Sequence, residues 1–504
     1  MNVLLMSMPD SFEHMPSLAI RMPNGALTSL AANIDPHHRV AVADLILAQG
    51  RVRATVDRLV AEQQPDVVGL SVMTFQRKTA MAIARQVKTL RPSVRIVAGG
   101  YDPSLAPDTY SRAGEIEFLV KGEGEQTFRE LLRAIEANEG FDKIPGLSVR
   151  TPAGLRHNAP RHILPLASEP PRLPRRDARV LAGYTFLGRP IDVVETSRGC
   201  TFDCSFCSII EMRGRNFHPY AIDRVLADIA DARDRGARAI FLVDDNITLD
   251  VKRFEQLCRA IVDRGLDDVD YMLQAMTAPL AQHGATLAPL MKRAGCRYVF
   301  LGIENILDED LAFLNARAKN ARREGGRTVG NATLQAITHL HAHGMFVVGG
   351  IIVGNPNDTR EAIEANLEFA RRHVDWPYIQ HPTPYPSTPM TREFRDRGLI
   401  VDEDVSHYDG TTAVVRTEHL SEREIEFLRW RSERWMKVRH LPAVFRHDPW
   451  FVLRHGIAML RHTFTGTTAR SLLGFEDARA VFKRFSERRA RAREQDVDLL
   501  RLST

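Results

Sequence analysis

Cys200, Cys204 and Cys207 are three of the chain's five cysteines and fall within eight residues, in the text GCTFDCSFC. A Cys-x3-Cys-x2-Cys run is too tight for ordinary structural disulfides, so the thiols read as metal ligands in a reducing compartment. Soft thiolates suit iron–sulfur clusters. Three of them on one loop hold three irons of a 4Fe-4S cubane and leave the fourth iron open to an exogenous ligand. Zinc is the alternative reading, but a closed zinc site needs a fourth Cys or His nearby, and His218 is the nearest histidine in sequence. Cys258 and Cys296 stand in helix-like or apolar text and read as buried core.

The cysteine loop follows the first of six apolar runs: 191–196, 239–245, 271–276, 298–304, 346–354 and 377–385, with helical patterns between them. Six β/α units predict a partial barrel open on one side, with chemistry at the carboxyl ends of its strands. Polar groups end several of these runs. Asp244 and Asp245 end the second, where Asn246 or Asp250 could equally cap a helix. Glu304 ends the fourth and reads as a ligand or a solvated strand-end acid. In GGIIVGNP, Gly350 and Gly354 flank Ile352, either to admit a ligand against the backbone or for tight packing. The sixth run ends in TPYPSTP, a proline-framed turn from which Tyr385 could face a substrate.

Before the barrel, residues 1–140 alternate β-branched runs with amphipathic stretches, the pattern of a doubly wound parallel sheet. In such folds ligands sit at the carboxyl ends of strands. Ser71, Thr74, Gly99, Gly100, Gly122, Glu123 and Gly124 mark those ends here. Residues 141–190 are Pro/Arg-rich and read as a linker, 191–400 as the barrel, and 401–504 as a helical, basic region.

The cysteine loop, with Phe206 before its last cysteine, resembles the radical S-adenosylmethionine (SAM) signature. The order of domains resembles the cobalamin-binding radical SAM family, of class B methyltransferase type, over residues 1 to about 400. The resemblance implies a Rossmann-like cobalamin-binding domain, a (β/α)6 radical SAM barrel, and three cofactors: a 4Fe-4S cluster, SAM and cobalamin. It implies that the free iron chelates SAM, whose one-electron cleavage gives a 5'-deoxyadenosyl radical that removes a substrate hydrogen. Asp244 and Asp245 match the family's strand-end acids that take the SAM amine or ribose; Glu304 matches its G-x-E, and Gly350 with Ile352 its G-x-I-x-G around adenine. VAGGYDP and KGEGEQTF resemble the loops around the nucleotide tail of cobalamin. Ser387 stands where the family's P-x-P-G-T-P has glycine. The text after the first strand, SMPDSFEHMP, lacks the D-x-H-x-x-G that supplies a cobalt ligand in other cobalamin folds. Cobalamin without that histidine is implied, and loss of cobalamin is the alternative.

Composition narrows the class. No apolar run reaches the roughly 18 residues that span a bilayer, and the start lacks a basic region and cleavage site, so a cytoplasmic protein is expected. The formal charge of +5 conceals an asymmetry: residues 421–504 carry 18 Lys/Arg against 11 Asp/Glu. Residues 430–462 interleave Trp430, Trp435 and Trp450 with arginines, which suits either peripheral contact with an anionic membrane or a helical cap over the barrel mouth. No fold presents this charge to nucleic acid.

The expected activity is cobalamin-dependent methylation of an unactivated carbon in a small-molecule or lipid substrate, fed by a reductant such as flavodoxin or ferredoxin. A radical cyclase or carbon–carbon rearrangement on a tetrapyrrole or lipid is the second reading, and a non-catalytic corrinoid-binding sensor the third. A methylthiotransferase needs further cysteines upstream, and none precedes residue 200.

Overall fold

The computed structural model describes residues 1–11, 19–163, 172–324, 327–472 and 475–498. Part of the text after the first strand, 12–18, and part of the Pro/Arg-rich stretch, 164–171, lie outside the described residues.

The first sheet contains β1 (Asn2–Ser7), β2 (Arg39–Asp44), β3 (Val67–Ser71), β4 (Arg95–Gly99), β5 (Phe118–Val120), β6 (Leu147–Thr151) and β7 (Gly154–His157), in spatial order β2-β1-β3-β4-β5-β6-β7. β2, β1, β3, β4 and β5 are parallel; β6 and β7 are antiparallel. Alternate side chains enter two cores, Leu4, Met6, Val68, Leu70 and Ile96 on one face and Val3, Leu5, Val67 and Val97 on the other. Burial on both faces explains the near-continuous apolar text. β6 and β7 fall in the stretch expected as a linker, so the first sheet runs on to His157. Their hairpin turns at Thr151-Pro-Ala-Gly154, and the surrounding prolines and arginines hide the short alternation.

The second sheet holds six parallel strands in sequence order: β8 (Arg189–Val194), β9 (Ala239–Leu242), β10 (Asp270–Met276), β11 (Cys296–Glu304), β12 (Phe346–Ile352) and β13 (Trp376–Gln380). Thr185–Phe186 and Ile20–Arg21 extend it beyond β8 as short antiparallel strands, which threads the start of the chain into the barrel sheet.

The helices that frame the site are α1 (Gly25–Asn33), α2 (Glu125–Ala137) and α3 (Ser208–Arg213); α4 (Glu422–His447), α5 (Pro449–Thr463) and α6 (Ala478–Asp498) form the C-terminal region. α4 packs on edge strand β13, whose free backbone groups would otherwise invite pairing. It then passes beneath the barrel, where Val444 joins Ile191, Ala239, Tyr298 and Phe346. Asp448 accepts from Arg189 at 2.6 Å. These residues stand at the amino ends of the strands, so the end of α4 seals the bottom of the barrel.

Candidate active site

The loop between β8 and α3 is fixed before it reaches the first cysteine. Asp244, fully buried just after β9, accepts from the Thr196 amide at 2.7 Å and from the Thr196 and Ser197 hydroxyls at 2.5 and 2.6 Å. Burial pushes its carboxyl up to about 6 even though these bonds pull it down. Asp244 is therefore a clamp on the loop, and both its oxygens are engaged by protein donors, which corrects the expectation that it meets SAM. Asp245 accepts from the Gly199 amide at 2.8 Å and is half-buried on the barrel side. Asn246 and Asp250 are the caps, accepting from the Thr248 and Arg253 amides. Gly199 is in the left-handed region at φ +86°, and a Cβ there would lie 2.6 Å from the Asn216 carbonyl oxygen, so only glycine fits. Beyond Cys200, Ser205 donates to the Leu314 and Phe313 carbonyls at 3.0 and 2.9 Å, and Asn315 donates to the Asp203 carbonyl at 2.9 Å.

Cys204 is buried and Cys200 and Cys207 are half-buried; all three are free thiols. Burial pushes Cys204 up to about 11 and Cys207 up to about 12, so without a metal these thiols stay neutral and hydrophobic. Iron fits this donor set, because it displaces the protons and supplies the positive charge that the loop lacks. The nearest built-in cation is Lys319, on the short helix Arg317–Asn320. It pairs with Glu304 and lies 5.4 Å from the Phe206 ring centroid. No motif marks Lys319, whose role depends on a chain return of fifteen residues from Glu304. Glu304, the last residue of β11, has φ +59°, a conformation unusual for a non-glycine residue that turns its carboxylate towards this pair.

The remaining barrel candidates divide. Gly350 is buried, and a Cβ there would meet the Phe300 ring at 2.9 Å, so its missing side chain accommodates Phe300 and not a ligand. Ile352 packs in a cluster with Met390, Phe394 and Tyr408, against which Phe206 and Tyr385 also rest. The Tyr385 hydroxyl donates to the Tyr408 carbonyl at 3.2 Å, and burial raises its pKa. Its polar tip is thus bound to the neighbouring turn, which argues against the catalytic role expected for it. Ser387 takes φ +70°, the conformation that glycine would favour, and its hydroxyl donates to the Leu105 carbonyl of the first domain at 3.1 Å.

Between the two domains lies a cavity of about 410 Å³ at the carboxyl ends of β3, β4 and β5. Ser71, Gly99, Gly100, Gly122, Glu123 and Gly124 line it. Thr74 does not; it is buried in the turn Thr74–Gln76. Gly100 has φ +100°, and a Cβ would sit 2.9 Å from the Val72 carbonyl oxygen. The opposite wall comes from the barrel and the cluster loop: Val193, Val243, Glu195, Arg198, Met212 and Arg213. Arg198 pairs with Glu125 and Glu195 at 2.7 Å each and with Glu123 at 3.4 Å. Burial would raise the Glu125 carboxyl, but the Arg198 charge and hydrogen bond, with the Ser29 hydroxyl, hold it down at about 2. Glu123 Oε1 and Arg213 Nη1 form an ion pair at 3.6 Å, but Glu123 Oε1 and Arg213 Nε are buried with no hydrogen-bond partner among the described residues. A glycine-rich wall with unsatisfied polar groups suits a bulky, amide-bearing ligand, so the cavity fits cobalamin. Tyr101, also in this wall, is pushed up by burial and by Asp245, a residue of the barrel.

The chain matches the model of the Radical SAM superfamily over residues 194–370 and that of the B12 binding domain over residues 17–132. It is 27% identical over 431 residues to an uncharacterized methyltransferase of Pyrococcus horikoshii, covering 85% of this chain and 90% of that one. It is 26% identical over 334 residues to the hopanoid C-3 methylase of Methylococcus capsulatus, covering 64% and 60%. Its fold is similar to that of the radical SAM methyltransferase TsrM of Kitasatospora setae, solved with cobalamin and a 4Fe-4S cluster, at a TM-score of 0.65 and 21% identity over 79% of this chain and 78% of that one. With a three-cysteine loop at the mouth of a partial barrel and a glycine-lined cavity beside it, the chain carries a radical SAM domain and a B12 binding domain, whose cofactors are a 4Fe-4S cluster, SAM and cobalamin, and it is similar to enzymes named as radical SAM methyltransferases.

Proposed function

We propose that the protein methylates an unactivated carbon of a small-molecule or lipid substrate held in the barrel. When bound, the cluster supplies the electron that cleaves SAM, drawn from a donor such as flavodoxin or ferredoxin, and cobalamin carries the methyl group. Cys200, Cys204 and Cys207 hold the cluster. Asp245 lies beside Cys207 and Glu304 beside Cys204, where they would supply carboxylates for the SAM amine or ribose. Gly99, Gly100, Gly122 and Gly124 let the first domain's backbone approach cobalamin, while Ser71, Glu123 and Arg213 meet its amides. Half-buried side chains on alternate barrel positions, Met272, Gln274, Phe300, Val348 and Tyr378, give the substrate a mainly apolar bed that excludes water.

The observation that carries this reading is the placement of the glycine-lined cavity directly against the loop that bears the cysteines, through Met212 and Arg213. The test is anaerobic turnover with SAM and candidate substrates, read by mass spectrometry. Methyl transfer adds about 14 Da to the product; 5'-deoxyadenosine with a different mass change indicates cyclisation or rearrangement and rejects the proposal.

A lipid substrate gains support from the tail. Trp450, Leu453 and Ile457 of α5 are 82%, 67% and 72% exposed and recur at helical spacing. Residues 434–475 hold seven Lys/Arg, and their sole acid, Asp448, is buried on Arg189. Such a face suits an anionic lipid surface. No helix among the described residues is long and apolar enough to cross a membrane. Flotation with anionic liposomes tests the contact: Trp450→Ser with Ile457→Ser abolishes it, and unchanged flotation removes the argument for a lipid.

A further inference from the structure

A second set of ligating side chains stands at the opposite end of the first domain from the cofactor cavity. His37 and His38 form the turn before β2, and Glu136 lies in the last turn of α2. His37 Nε2 is 3.0 Å from Glu136 Oε2, and His38 Nε2 is 3.9 Å from the same oxygen. One ligand atom from each of the three residues lies within 4.8 Å of the others. The His38 side chain has 0% exposure, and its Nε2 has no hydrogen-bond partner among the described residues. Its Nδ1 lies 3.1 Å from the Met1 amine nitrogen, which holds the ring with Nε2 towards Glu136; a metal on Nε2 requires Nδ1 to carry the ring proton and donate it to that nitrogen. Arg129 and Arg133, on the same helix as Glu136, are each paired with Asp35 at 2.6 Å. Glu136 is thus left to the histidines.

We infer that His37, His38 and Glu136 bind one zinc ion. A buried imidazole nitrogen without a partner is unfavourable, and a cation between it and a carboxylate satisfies both. Two imidazoles and one carboxylate are a common zinc set, with water in the fourth position. Tetrahedral bonds of about 2.0–2.1 Å place ligand atoms roughly 3.3 Å apart, so His37, at 3.0 Å from Glu136, is nearly in place and His38, at 3.9 Å, has to close in. The ion joins the turn before β2 to the end of α2, both outside the cofactor cavity. With three protein ligands the site is an open one, and because zinc has no redox chemistry it takes no part in electron transfer.

The experiment uses the enzyme loaded with cluster and cobalamin, so that Cys200, Cys204 and Cys207 are already occupied. After chelator treatment it is equilibrated with zinc chloride, and zinc, iron and cobalt are counted together by mass spectrometry. The expected result is one zinc per chain and a zinc-dependent rise in Tm. His37→Ala and Glu136→Gln, both at exposed positions, lower zinc affinity roughly 10- to 100-fold and leave iron, cobalt and the zinc-free Tm unchanged. A wild-type enzyme without zinc, or variants that bind zinc as tightly as wild type, overturns the inference.

Discussion

Arg198 donates from Nη2 to Glu125 Oε1 at 2.7 Å, and this bond joins the loop leading into Cys200 to the first turn of α2 in the other domain. The same guanidinium holds Glu195, at the end of β8, at 2.7 Å. One side chain therefore sets the distance between the cluster loop and the wall of the cobalamin cavity.

Removing Arg198 leaves Glu123, Glu125 and Glu195 close together without their shared cation. Arg198→Met is expected to destabilise the protein by about 3–5 kcal/mol, because breaking a buried ion pair strands its partners. Adding Glu125→Gln should recover part of the loss. Thermal unfolding measures both, and loss of bound cobalamin is expected before loss of iron.

The pH dependence follows from Glu125. Its carboxyl is held at about 2 against an ordinary 4.5, so its contribution is complete above pH 4.5 and disappears as pH falls towards 2. That contribution is about 3 kcal/mol at neutral pH. Glu125→Gln should flatten the loss of Tm across this interval; a wild-type slope in the variant refutes the assignment.

Lys319 is the cation beside Cys204 and Cys207, and it raises no net charge there because Glu304 pairs with it. Lys319→Met leaves Glu304 negative and should shift the cluster's reduction potential to more negative values, since net charge near a cluster sets its potential. Lys319→Met with Glu304→Gln restores neutrality and should return the potential towards wild type. An EPR-monitored redox titration reads both.

Cys204→Ala is expected to fold, because a methyl group fills most of a buried, hydrogen-bond-free thiol's place, yet to lose iron, sulfide and all 5'-deoxyadenosine formation. Chemical iron analysis and chromatography check the two losses. A variant that keeps its cellular activity supports the corrinoid-sensor reading.

Tyr385→Phe removes one hydrogen bond to the Tyr408 carbonyl. Such a bond contributes about 1 kcal/mol, so turnover should fall by less than about tenfold. A loss of several orders of magnitude would return Tyr385 to the chemistry.

The strand-end text located much of the site because β structure has a short, local period and its ends are marked by polar residues. Asp245, after β9, and Glu304, at the end of β11, face the cysteine loop from strand ends for that reason. Asp244, one residue from Asp245, points the other way into a clamp, and a one-residue difference in facing is decided by how β8 and β9 pair. Gly350 was ambiguous in sequence for a similar reason: which of Phe300 or a ligand fills the space above it depends on β11 lying beside β12.

By itself the sequence determined the metal chemistry and the order of the two folds, since three thiols on one loop and alternating β/α text are local properties of neighbouring residues. The tertiary structure decided what lies between them. Arg198 meets Glu125 across 73 residues, Lys319 meets Glu304 after a chain reversal, Ser387 reaches Leu105 across 282 residues, and α4 closes the bottom of the barrel. Those contacts depend on packing between distant segments, where burial and charge pairing choose partners that no spacing along the chain encodes.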